Sequence, residues 1–90
     1  MSPTDVDCII LAAGTASTYT IPDNVDVLLF YSNRDIYVRF NATAAIPATA
    51  VLDGSAPMPN PGLLVRDASD STVSVISTYA CNVYVYRWTK

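Results

Sequence analysis

The stretch Val27–Asn41, "VLLFYSNRDIYVRFN", holds two apolar runs separated by the turn-prone residues Ser32 to Asp35. Its spacing reads as a β-hairpin. In the second run Ile36, Val38 and Phe40 alternate with Tyr37 and Arg39. Successive strand residues point to opposite faces, so the first set should meet a core and the second solvent or a neighbour. The first run belongs to a longer segment, Val25 to Tyr31, that is apolar almost throughout. Such continuity is expected of a central strand covered on both faces.

The rest of the chain repeats this texture. Strands are expected over Val6 to Ala12, Ser17 to Pro22, Leu63 to Arg66, Thr72 to Thr78 and Val83 to Trp88, with turns at Gly14, Asp23–Asn24, Asp67–Ser71 and Tyr79–Asn82. From Ala42 to Gly62 the alternation dissolves into Ala, Thr and Pro, leaving room for one short edge strand near Ala48 to Leu52. Residues 1–5 read as a polar arm broken by Pro3, and residues 6–90 as one domain. The fold class expected is all-β, a small β-sandwich or jelly-roll-like barrel of about seven to eight antiparallel strands with frequent turn signals.

Composition agrees. All eight acidic residues are Asp, and neither Glu nor Gln occurs. Asp favours turns whereas Glu and Gln favour helices, so helical content is disfavoured. Charged residues are 14% of the chain against 51% hydrophobic. A charged fraction below the ordinary ~25% suggests apolar surface that a partner, not the chain, covers. The net charge is −3, and the four Arg and one Lys are scattered. Without a basic stripe to follow a phosphate backbone, no nucleic-acid partner is expected. No apolar run is long enough for a helical span, and no membrane partner is expected. The N-terminus lacks the basic and apolar regions of a secretory signal.

Catalytic equipment is thin. There is no His, the usual base near neutral pH. Cys8 and Cys81 therefore lack an imidazole to activate them. The Asp residues sit in or beside turns, where their carboxylates bind local N–H groups. Asp67, Ser69 and Asp70 offer oxygen ligands but lack the loop and bidentate Glu of a calcium site. No enzyme activity, cofactor or metal is expected. Cys8 and Cys81 lie near opposite ends of the chain. Pairing of the first and last strands would bring them close enough for a disulfide; the alternative is two buried thiols acting as small apolar residues.

Besides the N-terminal arm, two segments are candidates for contact with a partner. In the closing strand Tyr84, Tyr86 and Trp88 share one face and Val83, Val85 and Arg87 the other. Either the valines fill the core and an aromatic stripe faces outward, joined by Tyr37, or the aromatics are themselves core. The segment "APMPNPG", Ala56 to Gly62, is stiffened by alternate prolines and carries Met58, Pro59 and Asn60. It reads as an adaptable contact loop or as a rigid crossover between sheets.

The succession of a Thr18–Pro22 strand "TYTIP", the "IYVRF" of Ile36 to Phe40, the "VSVI" of Val73 to Ile76 and the closing "VYV" of Val83 to Val85 resembles the small capsid decoration, or cement, proteins of tailed bacteriophages. The resemblance spans about residues 15–88 and excludes the N-terminal arm and both cysteines. It implies a structural virion protein, assembled in the host cytoplasm, that binds the major capsid protein at the outer capsid surface as a homo-oligomer, a trimer. The alternative is a carbohydrate- or receptor-binding module of a tail fibre, or another tail or connector component.

Overall fold

β-branched and aromatic residues at period two make eight strands, and Gly, Asn, Asp and Pro break the chain between them. The computed structural model describes residues 5–89, with β1 (Asp5–Leu11), β2 (Ser17–Thr20), β3 (Val25–Tyr31), β4 (Tyr37–Phe40), β5 (Met58–Pro59), β6 (Leu63–Val65), β7 (Thr72–Ile76) and β8 (Cys81–Thr89). They form two antiparallel sheets of four, in the orders β1-β8-β3-β6 (sheet A) and β2-β7-β4-β5 (sheet B). First pairs with last, second with second-last, and so inward to β4 with β5. This is one long hairpin rolled up on itself, the plan of a double-sheet jelly roll.

The core lies between the sheets. Leu11, Leu28, Phe30, Val83 and Val85 from sheet A meet Val38, Val73 and Val75 from sheet B, with Ile21, Val25 and Ile36 closing the ends. Alternation decides membership: Val83 and Val85 are fully buried while Tyr84 between them is exposed. On the order of 2 kcal/mol accompanies burial of each such aliphatic side chain.

Three sequence expectations change. Val27–Asn41 is not a hairpin: β3 lies in sheet A and β4 in sheet B, so the Ser32–Asp35 turn carries the chain across the sandwich. Asn-Arg lacks the second positive-φ residue, usually Gly, of a tight two-residue hairpin turn. The crossing is held from outside instead. Ser77 Oγ donates to Asp35 O (2.7 Å), Ile36 N donates to Asn60 Oδ1 (2.9 Å), and Asn60 Nδ2 donates to Asp35 Oδ1 (3.1 Å). No strand forms at Ala48 to Leu52; the edge of sheet B is Met58–Pro59. Val51 and Leu52 are exposed and the rest of that stretch is small Ala and Thr, so it gains little from packing, whereas Met58 packs against the core. Asp5, assigned to the arm, begins β1 opposite Arg87; the remainder of that arm lies outside the described residues.

The start of loop 41–57 lies over β7 of sheet B. Ala44 is buried and its N–H donates to Ser74 Oγ (2.9 Å). Ser74 and Ile76, on the outer side of β7, are buried as well. The loop begins at Asn41, left-handed at φ 59°. Asn41 Nδ2 donates to Asp70 Oδ1 (2.8 Å), and its Oδ1 accepts from Ser71 N (3.0 Å). Arg66 ties the same end, donating from Nε to Asp70 O (2.8 Å) and from Nη1 to Pro22 O (2.6 Å).

Candidate functional site

Among the described residues, sheet A has no such cover. Its outer side is built by alternate residues of four strands, and the pairing registers align them in rows. One row runs Val6–Tyr86–Leu29–Leu63, and the next Cys8–Tyr84–Tyr31. Val27 stands between Trp88 and Val65, and Ile10 opposite Asn82. These rows contain no charged side chain. Ile10 is 79% exposed, Val65 75%, Leu63 60% and Tyr31 57%. Scattered exposed apolar residues are ordinary on a protein surface; a contiguous apolar sheet face is not.

The expectation that Val25–Tyr31 is covered on both faces is met on one side only. Leu28 and Phe30 are buried, whereas Val27 and Leu29 are half-buried and Tyr31 is exposed. A central strand with apolar residues on an open face is suited to being covered by something else.

Tyr84, Tyr86 and Trp88 stand together on this outer face, with Val83 and Val85 beneath. Tyr37 does not join them. It lies on β4, opposite Ile76 and Pro59, in the other sheet; strand period gave its side but not its sheet. Met58 is half-buried against the core and is not an exposed tip. Pro59 and Asn60 are exposed, but Asn60 sits at φ 42° with its amide engaged by Ile36 and Asp35, a structural clasp.

Cys8 and Cys81 are both free. β1 and β8 do pair, but Cys8 lies opposite Tyr84 on the outer face, and Cys81 opposite Leu11 with its side chain against the core. Three register positions and opposite faces separate them, beyond the reach of a disulfide.

A polar cluster that sequence reading missed closes the sandwich beside β1. The Tyr19 hydroxyl donates to Asp7 Oδ2. Arg87 Nε lies 3.1 Å from the same oxygen, and Arg87 Nη2 lies 3.9 Å from Asp5 Oδ2. Arg87 Nε is buried and lacks hydrogen-bond geometry there. Burial first, and then the bond to the Asp7 carboxylate, push the Tyr19 hydroxyl well above its ordinary range. No local motif announces this group, because β1, β2 and β8 each supply part of it. The indole Nε1 of Trp88 is also buried, without a hydrogen-bond partner among the described residues.

Beyond the end of the apolar face, Tyr31, Asn33, Arg34, Asn82 and Tyr84 line an open recess. Arg34 is stacked 4.7 Å over the Tyr79 ring, which holds its guanidinium in place. In comparisons with known proteins the chain matches no family model, no curated protein and no solved structure.

Proposed function

We propose that the chain is a structural, non-enzymatic virion protein of a tailed bacteriophage that lays the outer face of sheet A on the outer surface of the capsid and stabilises the head. The observation that carries the docking role is the contrast between the two sheets: the outer side of β7 in sheet B is covered where Ala44 of the chain's own loop docks, and sheet A presents aligned, uncharged apolar rows. Tyr84, Tyr86 and Trp88 supply the large rigid side chains that dominate interface energetics. The resemblance of the strand succession to decoration proteins supports the capsid as partner. A jelly roll alone does not, since the same architecture serves capsid and lectin domains alike. A ligand that binds the assembled shell preferentially shifts it toward the intact state. Mixing purified protein with undecorated heads and heating them tests this: saturable binding and a raised rupture temperature are expected, and the absence of both rejects it.

The second reading, recognition of a glycan, draws on the recess between Tyr31 and Tyr84. It sets two rings beside the amides of Asn33 and Asn82 and the Arg34 guanidinium, a pairing of stacking surface with polar donors suited to a sugar. A glycan array separates the readings. Cement activity predicts no saturable signal, and a signal abolished by Tyr84→Ala favours the sugar.

A further inference from the structure

Three of the four sheet edges are blunted. They end in β6, β2 and β5, which are three, four and two residues long, and short edge strands keep sandwiches from joining edge to edge. β1 is different. It has seven residues, contains neither Pro nor Lys, and pairs with β8 in unbroken register. No strand of the described residues pairs with its other side, so that side carries a ladder of backbone groups suited to another strand.

We propose that β1 pairs antiparallel with β1 of a second copy, joining two A sheets into one eight-stranded sheet with Cys8 at the two-fold axis. Length and charge select this register. Overlapping all seven residues sets Asp5 opposite Leu11, Val6 opposite Ile10, Asp7 opposite Ile9 and Cys8 opposite its counterpart. Centring on Asp7 places two carboxylates face to face, and centring on Val6 sets Asp5 against Asp7; directly opposed like charges are destabilising. Centring on Ile9 shortens the overlap. Only the Cys8 register keeps every backbone pairing and opposes no charges. On the outer face it aligns Val6, Cys8 and Ile10, all exposed, into an apolar seam. On the inner side Asp7 remains with Tyr19 and Arg87.

The pairing also gives the docking face a sufficient size, a point that rests on the capsid reading whereas the pairing does not. Four strands of this length make a face of roughly 400 Å² in projection, from about 4.8 Å between strands and about 3.3 Å per residue. A stable interface takes about 800 Å² per partner, which two joined faces approach. A two-fold pair consumes the one long edge among the described residues and closes, so it stands in place of the threefold ring that the resemblance implies.

The whole chain tests this without a capsid. Sedimentation equilibrium at roughly 100 µM should give twice the 9.7 kDa mass; a monomer or trimer overturns the proposal. Diamide treatment should link the pair through Cys8, two thiols forming one disulfide while diamide takes up two electrons and two protons. The link should form in Cys81→Ser and fail in Cys8→Ser, and a link that needs Cys81 rejects the register. Because Val6 and Ile10 are exposed, V6K/I10K should fold, as circular dichroism would show, yet set Lys against Lys across the seam and weaken dimerisation by at least about tenfold. V6K/I10D sets opposite charges there and should restore the dimer. A dimer unaffected by V6K/I10K, or a folded V6K/I10D that stays monomeric, overturns it.

Discussion

Two asparagines and one tyrosine act through their polar atoms. Asn41 and Asn60 adopt positive φ, a region that Asn tolerates better than most residues, and each uses its amide to anchor a crossing between distant strands. Asn41→Ala should lower unfolding free energy in urea by about 1–2 kcal/mol. Asn41→Gly should cost less, because Gly accepts the φ and only the side-chain bonds are lost. Tyr19 sets the alkaline behaviour. Its folded-state pKa is raised by burial and by Asp7, so the folded protein holds that proton more tightly than the unfolded chain. The stabilisation is fully present below the ordinary tyrosine value of about 10 and is lost as pH rises above it toward the higher folded value. Tyr19→Phe should therefore flatten the decline of thermal midpoint above about pH 10. An unchanged slope would dissociate Tyr19 from that limb.

At the scale of the strand, β8 divides along one period-two register into a core side and the proposed docking side. Val83 and Val85 are fully buried, so Val85→Ala should cost about 2 kcal/mol through lost burial and a residual cavity. Tyr84→Ser, on the exposed face, should shift stability by less than about 1 kcal/mol while weakening attachment to heads. Paired unfolding and head-binding measurements check both; a large stability loss from Tyr84→Ser would return the aromatics to the core. The same alternation was legible in the sequence, which set Val83 and Val85 against Tyr84, Tyr86 and Trp88 but left open which set was buried. The β3–β4 connection was not legible. Ser32 to Asp35 looks like a hairpin turn, and only its bonds to Ser77 and Asn60, more than twenty residues away, carry it between sheets.

The whole molecule is asymmetric. The start of loop 41–57 covers the outer side of β7 in sheet B, whereas among the described residues the outer face of sheet A is uncovered. Attachment through an uncharged apolar face should be nearly indifferent to salt, changing by less than about threefold between ~0.05 M and ~0.5 M NaCl, because screening acts on charges and not on apolar burial. A steep salt dependence in a head-binding assay would point to a charged surface instead.

By itself the sequence determined most of the strands and the division of each into two faces, because period-two alternation and turn residues are local properties of the chain; the edge strand Met58–Pro59 it did not. It also determined the want of an imidazole base. Tertiary structure alone decided which strand lies beside which. That pairing took Tyr37 to the opposite sheet, set Cys8 and Cys81 on opposite faces, gathered Asp7, Tyr19 and Arg87, and joined Val6, Leu29, Leu63 and Tyr86 into one row. The physical reason is range: alternation is written into neighbouring residues, whereas register emerges only when strands distant in the chain bury a common core.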